Sequence, residues 1–145
     1  MGTGFLGEHF PRLDDKGRLV LPAKFRDGFA KGLVLAKGQN RCITIWPEDE
    51  WVTFADELTK RSRTDGSVVA YQRVLFAGAF DQIPDRQGRI SVPPTLREYA
   101  SLDRDVVVSG RNNVAEIWDK ATWDLYMAEQ DEAFAELTGG VLPGL

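Results

Sequence analysis

The chain has 145 residues, 43% hydrophobic and 28% charged, with a formal net charge of −4. That apolar share supports a buried core and excludes a disordered chain, and no apolar run approaches the roughly 18 residues of a membrane span. One cysteine, Cys42, and one histidine, His9, exclude an internal disulfide and a Cys/His zinc site within one chain, and the acidic balance argues weakly against nucleic acid.

Met1–Phe5 shows neither a basic n-region nor an apolar h-region, so no secretory signal is expected, and the implied setting is a reducing cytosol. In chain order, a short strand over 5–12 leads to a tight turn at Lys16-Gly17, where glycine supplies a positive φ. A second strand follows at 18–21, alternating polar and apolar. Pro22 then opens a short helix, where its missing N–H costs nothing. Strands at 33–37 and 42–46 flank the turn Gly38-Gln39-Asn40-Arg41. Pro47-Glu48-Asp49-Glu50 starts a helix with acids in its first turn. A further helix is expected over 67–75.

The same grammar then returns, with a strand over 76–83, a turn at Gln87-Gly88, a strand at 89–92 and a short helix after Pro93. Strands at 105–110 and 114–118 flank Gly110-Arg111-Asn112-Asn113, and a helix capped by Asp119 runs to about Leu137, before Gly139-Gly140. The fold class is α+β with paired hairpins.

The similarity is residue-level. Asp14-Asp15-Lys16-Gly17-Arg18-Leu19-Val20-Leu21-Pro22 returns as Asp85-Arg86-Gln87-Gly88-Arg89-Ile90-Ser91-Val92-Pro93 at an offset of 71. Ile45-Trp46 and Trp51 return as Ile117-Trp118 and Trp123 at an offset of 72, so one residue is inserted in between. Two tandem units follow, 1–75 and 76–145, without a Pro/Ser-rich linker.

The repeated Asp-x-x-x-Arg turn, Asp14 to Arg18 and Asp85 to Arg89, admits two readings. An Asp at a turn accepts backbone N–H bonds and pairs with a nearby Arg for structural reasons alone. Local charge favours function. Residues 12–41 hold eight basic side chains against three acidic ones, a net of +5, in contrast to −6 for residues 77–145. A basic two-stranded ribbon can enter a major groove, with Arg addressing guanine edges and Lys addressing phosphate. The linear count implies more phosphate attraction from the first copy.

Two copies of Asp-x-x-x-Arg, of Gly-Arg-hydrophobic-x-hydrophobic-Pro and of Ile-Trp…Trp resemble the MraZ family over about residues 3–137. The resemblance implies tandem swapped-hairpin β units of the AbrB/SpoVT type with packed helices, in a double-split-barrel-like arrangement. It further implies a cytoplasmic, nucleoid-associated transcriptional regulator that binds short direct repeats upstream of its own division and cell-wall operon as a ring-shaped homo-oligomer. Carried over, Lys16, Arg18, Arg86 and Arg89 contact DNA, and Asp14 and Asp85 orient the arginines. Lys24, Arg26 and Arg97 are structural or secondary DNA contacts. Arg26 and Arg97 are expected at the C-terminal end of the short helix, on the dipole argument.

The tryptophans read as packing that locks helix to sheet rather than as a base-stacking surface. Cys42 reads as a small buried hydrophobe and His9 as a strand or surface residue. Glu129, Asp131, Glu132 and Glu136 form a solvated acidic helix end. An antitoxin-type interaction module is the alternative function. An enzyme is disfavoured: the sequence has no phosphate-binding Gly loop, nucleophile elbow or metal cluster, and no cofactor, metal, membrane or small-molecule substrate is expected.

Overall fold

The computed structural model describes residues 4–137. In chain order these form β1 (Glu8–His9), β2 (Arg18–Val20), a 3-10 turn (Ala23–Phe25) running into α1 (Arg26–Phe29), β3 (Leu33–Lys37), β4 (Ile43–Pro47) and α2 (Glu48–Thr59). There follow α3 (Gly66–Ala77), β5 (Phe80–Gln82), β6 (Arg89–Ser91), α4 (Pro94–Tyr99), β7 (Val106–Arg111), β8 (Val114–Asp119) and α5 (Lys120–Ala135). The mixed α+β class is as expected, and nearly every anticipated element is present.

Local chemistry explains the helix ends. Asp65 accepts the N–H groups of Ser67 and Val68 at the start of α3, and Asp119 accepts that of Thr122 at the start of α5. Glu48, Asp49 and Glu50 occupy the first turn of α2, at the positive end of its dipole. Helix α3 extends to Ala77, which shortens the strand expected over 76–83 to Phe80–Gln82. The expected stop for α5 at Gly139-Gly140 lies outside the described residues.

Six strands form one antiparallel sheet in the order β1-β7-β8-β4-β3-β5, and β2 pairs with β6 in a separate two-stranded ribbon. The expected hairpins across the Asp14 and Asp85 turns are overturned. Strand β1 pairs with β7 of the second half, β5 pairs with β3 of the first half, and the two strands after the turns pair with each other. The turn itself closes locally, through Asp14 N–H to the Arg18 carbonyl (2.8 Å) and Gly17 N–H to the Asp14 carbonyl (3.0 Å). Beyond it, Leu19 and Leu21 enter the core, where Ile90 and Val92 supply the matching apolar row. Tertiary context, not the turn, selects the partner strand.

One core is therefore drawn from both halves. Leu19, Leu21, Phe25, Phe29, Leu33, Leu35, Ile43 and Ile45 from the first half pack with Ile90, Val92, Leu96, Val106, Val108 and Ile117 from the second. Phe5 stacks on Phe29 with ring centroids 4.4 Å apart. A smaller cluster on the opposite sheet face joins Cys42 and Val107 to Trp118 and Trp123, with Tyr126 and Met127 of α5 against it.

The tryptophans act as packing, as their spacing implied. Trp118 and Trp123 are buried and meet edge to face at 5.2 Å. Trp46 meets Trp51 at 5.8 Å and stacks on Phe54 at 4.6 Å. Cys42 is buried, His9 lies in β1 with its ring edge-on to Phe25, and Glu129, Asp131, Glu132 and Glu136 are exposed.

Candidate nucleic-acid interface

Both repeated turns have the same construction. One Asp14 carboxylate oxygen accepts the backbone N–H groups of Lys16 and Arg18, each at 2.9 Å. The other accepts Arg18 Nε at 2.9 Å. Asp85 does the same with the N–H groups of Gln87 and Arg89, each at 2.9 Å, and with Arg89 Nε at 2.7 Å. Sequence thus builds an Asp-closed turn, and the turn fixes the first stretch of each arginine side chain.

These hydrogen bonds hold both carboxyls below the ordinary Asp value. The backbone N–H of Arg18 is the largest cause at Asp14, and that of Arg89 at Asp85, with the arginine side chains adding to each. The carboxylates are thereby kept charged and engaged with their arginines.

The two turns meet across the ribbon. Leu21 donates its N–H to the Gly88 carbonyl and Val92 donates to the Gly17 carbonyl, both at 2.8 Å. In the ribbon register Arg18 faces Ser91, Leu19 faces Ile90 and Val20 faces Arg89. Alternation buries Leu19 and Ile90 and turns Arg18, Val20, Arg89 and Ser91 to the outer face. Two Asp-held arginines therefore sit diagonally on one face of an antiparallel ribbon, within reach of neighbouring groups on a ligand. Lys16 and Arg86 are exposed at the adjoining turns.

Lys24 is exposed on the 3-10 turn and borders an open groove with Phe10, Val20 and Arg26. Arg26 departs from the expected helix-end position: it is the first residue of α1, continuous with the preceding 3-10 turn. Its Nε donates to the Leu21 carbonyl at 3.2 Å. Its guanidinium lies against Gly88, on the second turn, where a side-chain carbon would sit 2.6 Å from Nε and 3.0 Å from Cζ. Arg97, in the last turn of α4, lies against Gly17 of the first turn in the same way. Both glycines have a positive φ, 74° and 75°.

Sequence reasoning missed this crossing of arginines between halves. Its signal was the identical spacing from Gly17 to Arg26 and from Gly88 to Arg97. It also missed Gln82, whose side-chain amide accepts the Ser91 N–H and donates to the Ser91 carbonyl, both at 2.8 Å, steadying the outer edge of β6. Nothing in the residue pattern marked Gln82, because Pro11 stands at the matching position of the first copy.

Among the described residues no cluster of three His, Cys, Asp or Glu is placed to hold a metal ion, and no helix is long and apolar enough to cross a membrane. The family model described as "MraZ protein, putative antitoxin-like" matches the chain twice in tandem, over residues 5–74 and 75–139. Proteins named transcriptional regulator MraZ are similar over 97% of this chain and 99% of their own length. They include those of Salinispora tropica at 54% identity, Parafrankia sp. at 52% and Thermobifida fusca at 52%. Two tandem matches and full-length similarity at this level place the chain in the MraZ family.

Proposed function

We propose that the chain is a sequence-specific DNA-binding transcriptional regulator rather than an enzyme. The observation that carries this reading is the β2–β6 ribbon, which displays Arg18 and Arg89 on one face with each held by its own aspartate. A two-stranded ribbon fits a major groove about 12 Å wide, and a held arginine can meet a guanine edge through two hydrogen bonds. Lys16 and Arg86 contact DNA beside them. Asp14 and Asp85 orient the arginines instead of touching the duplex, since a carboxylate facing phosphate is repelled.

Units 1–75 and 76–145 form a swapped-hairpin pair of the AbrB/SpoVT type, and the exchange of β1, β2, β5 and β6 between halves supports that reading. The protein acts in the cytoplasm on the nucleoid and binds short direct repeats upstream of its own division and cell-wall operon as a ring-shaped homo-oligomer. Exposed Leu125, Phe134 and Leu137 near the C-terminal end, with Tyr71 and Val74 on α3, supply apolar surface for self-association. Assembly adds avidity to a single ribbon with few basic contacts.

The test is a footprint on DNA immediately upstream of the encoding gene. Protection of short, regularly spaced repeats is the expected result. Inserting half a helical turn between repeats costs far more affinity than inserting a whole turn of about 10 base pairs. Equal cost removes the in-register assembly. The antitoxin-like wording of the family description favours a second reading, an interaction module. That reading gains if the protein ignores DNA at low salt and co-purifies with a small partner.

A further inference from the structure

Among the described residues, the two arginines that cross between halves have no carboxylate partner. Six ion pairs join described residues, and neither Arg26 nor Arg97 is in any of them. Each guanidinium instead lies against the turn glycine of the other copy, Arg26 on Gly88 and Arg97 on Gly17. Arg26 is exposed and Arg97 half-buried. Asp14 and Asp85 already neutralise Arg18 and Arg89, and at the first turn Arg104 engages Asp15 at 3.3 Å. Each turn is left with an extra positive charge, brought from the opposite half and seated on backbone.

We propose that Arg26 and Arg97 are phosphate-binding residues in trans, each completing the DNA-contacting turn of the other copy. The first lobe is then Lys16, Arg18 and Arg97, and the second is Arg86, Arg89 and Arg26. This inference rests on the DNA-binding reading above and extends it. The exchange is reciprocal, so each lobe holds three basic residues, two from its own copy and one from the other. A guanidinium is a planar fork of N–H donors, and one already seated on a glycine has less side-chain freedom to lose when it binds phosphate. Seating requires glycine, because any side-chain carbon at either position would overlap the arginine.

The experiment measures binding of the full chain to two duplexes, one from the DNA upstream of its gene and one scrambled, across a salt series. Wild type is compared with Arg26→Gln, Arg97→Gln, Arg26→Lys and Arg97→Lys, with thermal melting as a check on folding. Loss of one phosphate contact lowers the slope of log K against log[salt] by about 0.9. At 0.1 M salt it weakens both duplexes by roughly five- to tenfold. The Gln variants are expected to show this loss on both duplexes, and the Lys variants are expected to keep the wild-type slope. An unchanged slope in a Gln variant that melts like wild type overturns the proposal. So does a slope lost equally in Lys and Gln variants, which would assign these arginines to packing alone. Failure of wild type to bind either duplex refutes the DNA-binding reading itself, so the two failures are distinguishable.

Discussion

Leu19 and Ile90 face each other at the centre of the β2–β6 ribbon, each 1% exposed, although they belong to different halves of the chain. Their contact is the point where the repeat becomes one core. Leu19→Ala and Ile90→Ala are each expected to cost about 2–5 kcal/mol, because each removes methyl groups from a packed site. Urea unfolding reads both values. The double variant should depart from additivity by more than about 0.5 kcal/mol, since the residues share one site. Simple additivity would show that they do not.

Gly17→Ala combines two costs. A left-handed backbone at alanine costs about 1–2 kcal/mol, and the new methyl group displaces Arg97. Adding Arg97→Ala to Gly17→Ala is expected to recover part of the stability, because only the backbone cost then remains. Melting of the single and double variants checks this. If the second substitution lowers stability further, Arg97 is not seated on Gly17.

Asp14→Asn separates orientation from repulsion. Removing a negative charge near DNA raises general attraction, but freeing Arg18 removes selectivity. The expected outcome is tighter binding to a scrambled duplex and about a tenfold loss of discrimination, the lower end of what one base-reading pair provides. Paired gel-shift titrations at fixed salt measure both. A gain on the operator with discrimination intact would reduce the carboxylate to a source of repulsion.

The same carboxylates carry a pH signature. Their folded values lie below the ordinary 3.8, through hydrogen bonds from Arg18 and Arg89. A depressed folded value means that the unfolded chain takes up protons first as pH falls. Their support for the fold is therefore complete above pH 3.8 and is lost as pH drops through the lower folded values. An NMR titration should show both carboxyls titrating below free aspartate, and Asp14→Asn should abolish the Asp14 transition alone.

Cys42 is 1% exposed, and burial, with Glu116 nearby, pushes its thiol up to about 12. The thiolate is the reactive form, so labelling near pH 8 should be roughly a hundredfold or more slower in the folded chain than in urea. A disulfide-exchange reagent monitored by absorbance reads both rates. Comparable rates would place Cys42 at the surface.

Much of this was legible because the chain states its plan twice. The paired Gly17 and Gly88 turns, the strands after them and the caps at Asp119 and Pro93 follow from local steric and hydrogen-bonding rules. The Asp14–Arg18 and Asp85–Arg89 pairings were legible for the same reason, since all their bonds lie within five residues. Partner choice was not legible. Alternation in Arg18-Leu19-Val20 marks a strand but leaves its neighbour open, and the neighbour is 71 positions away. The seats of Arg26 and Arg97 were hidden by the same exchange, because a side chain's destination depends on which strand lies opposite.

The exchange of strands also sets a schedule for synthesis. When the first half leaves the ribosome, Leu19 has no partner and β3 has an open edge until Phe80–Gln82 arrives. At about 5–20 residues per second, Ile90 follows Leu19 by roughly 4–14 s. Strand β1, among the earliest segments made, docks only after Val106–Arg111 has emerged. The nascent chain must stay uncommitted and soluble through that interval, and the acidic second half, net −6, arrives as the sticky edges close.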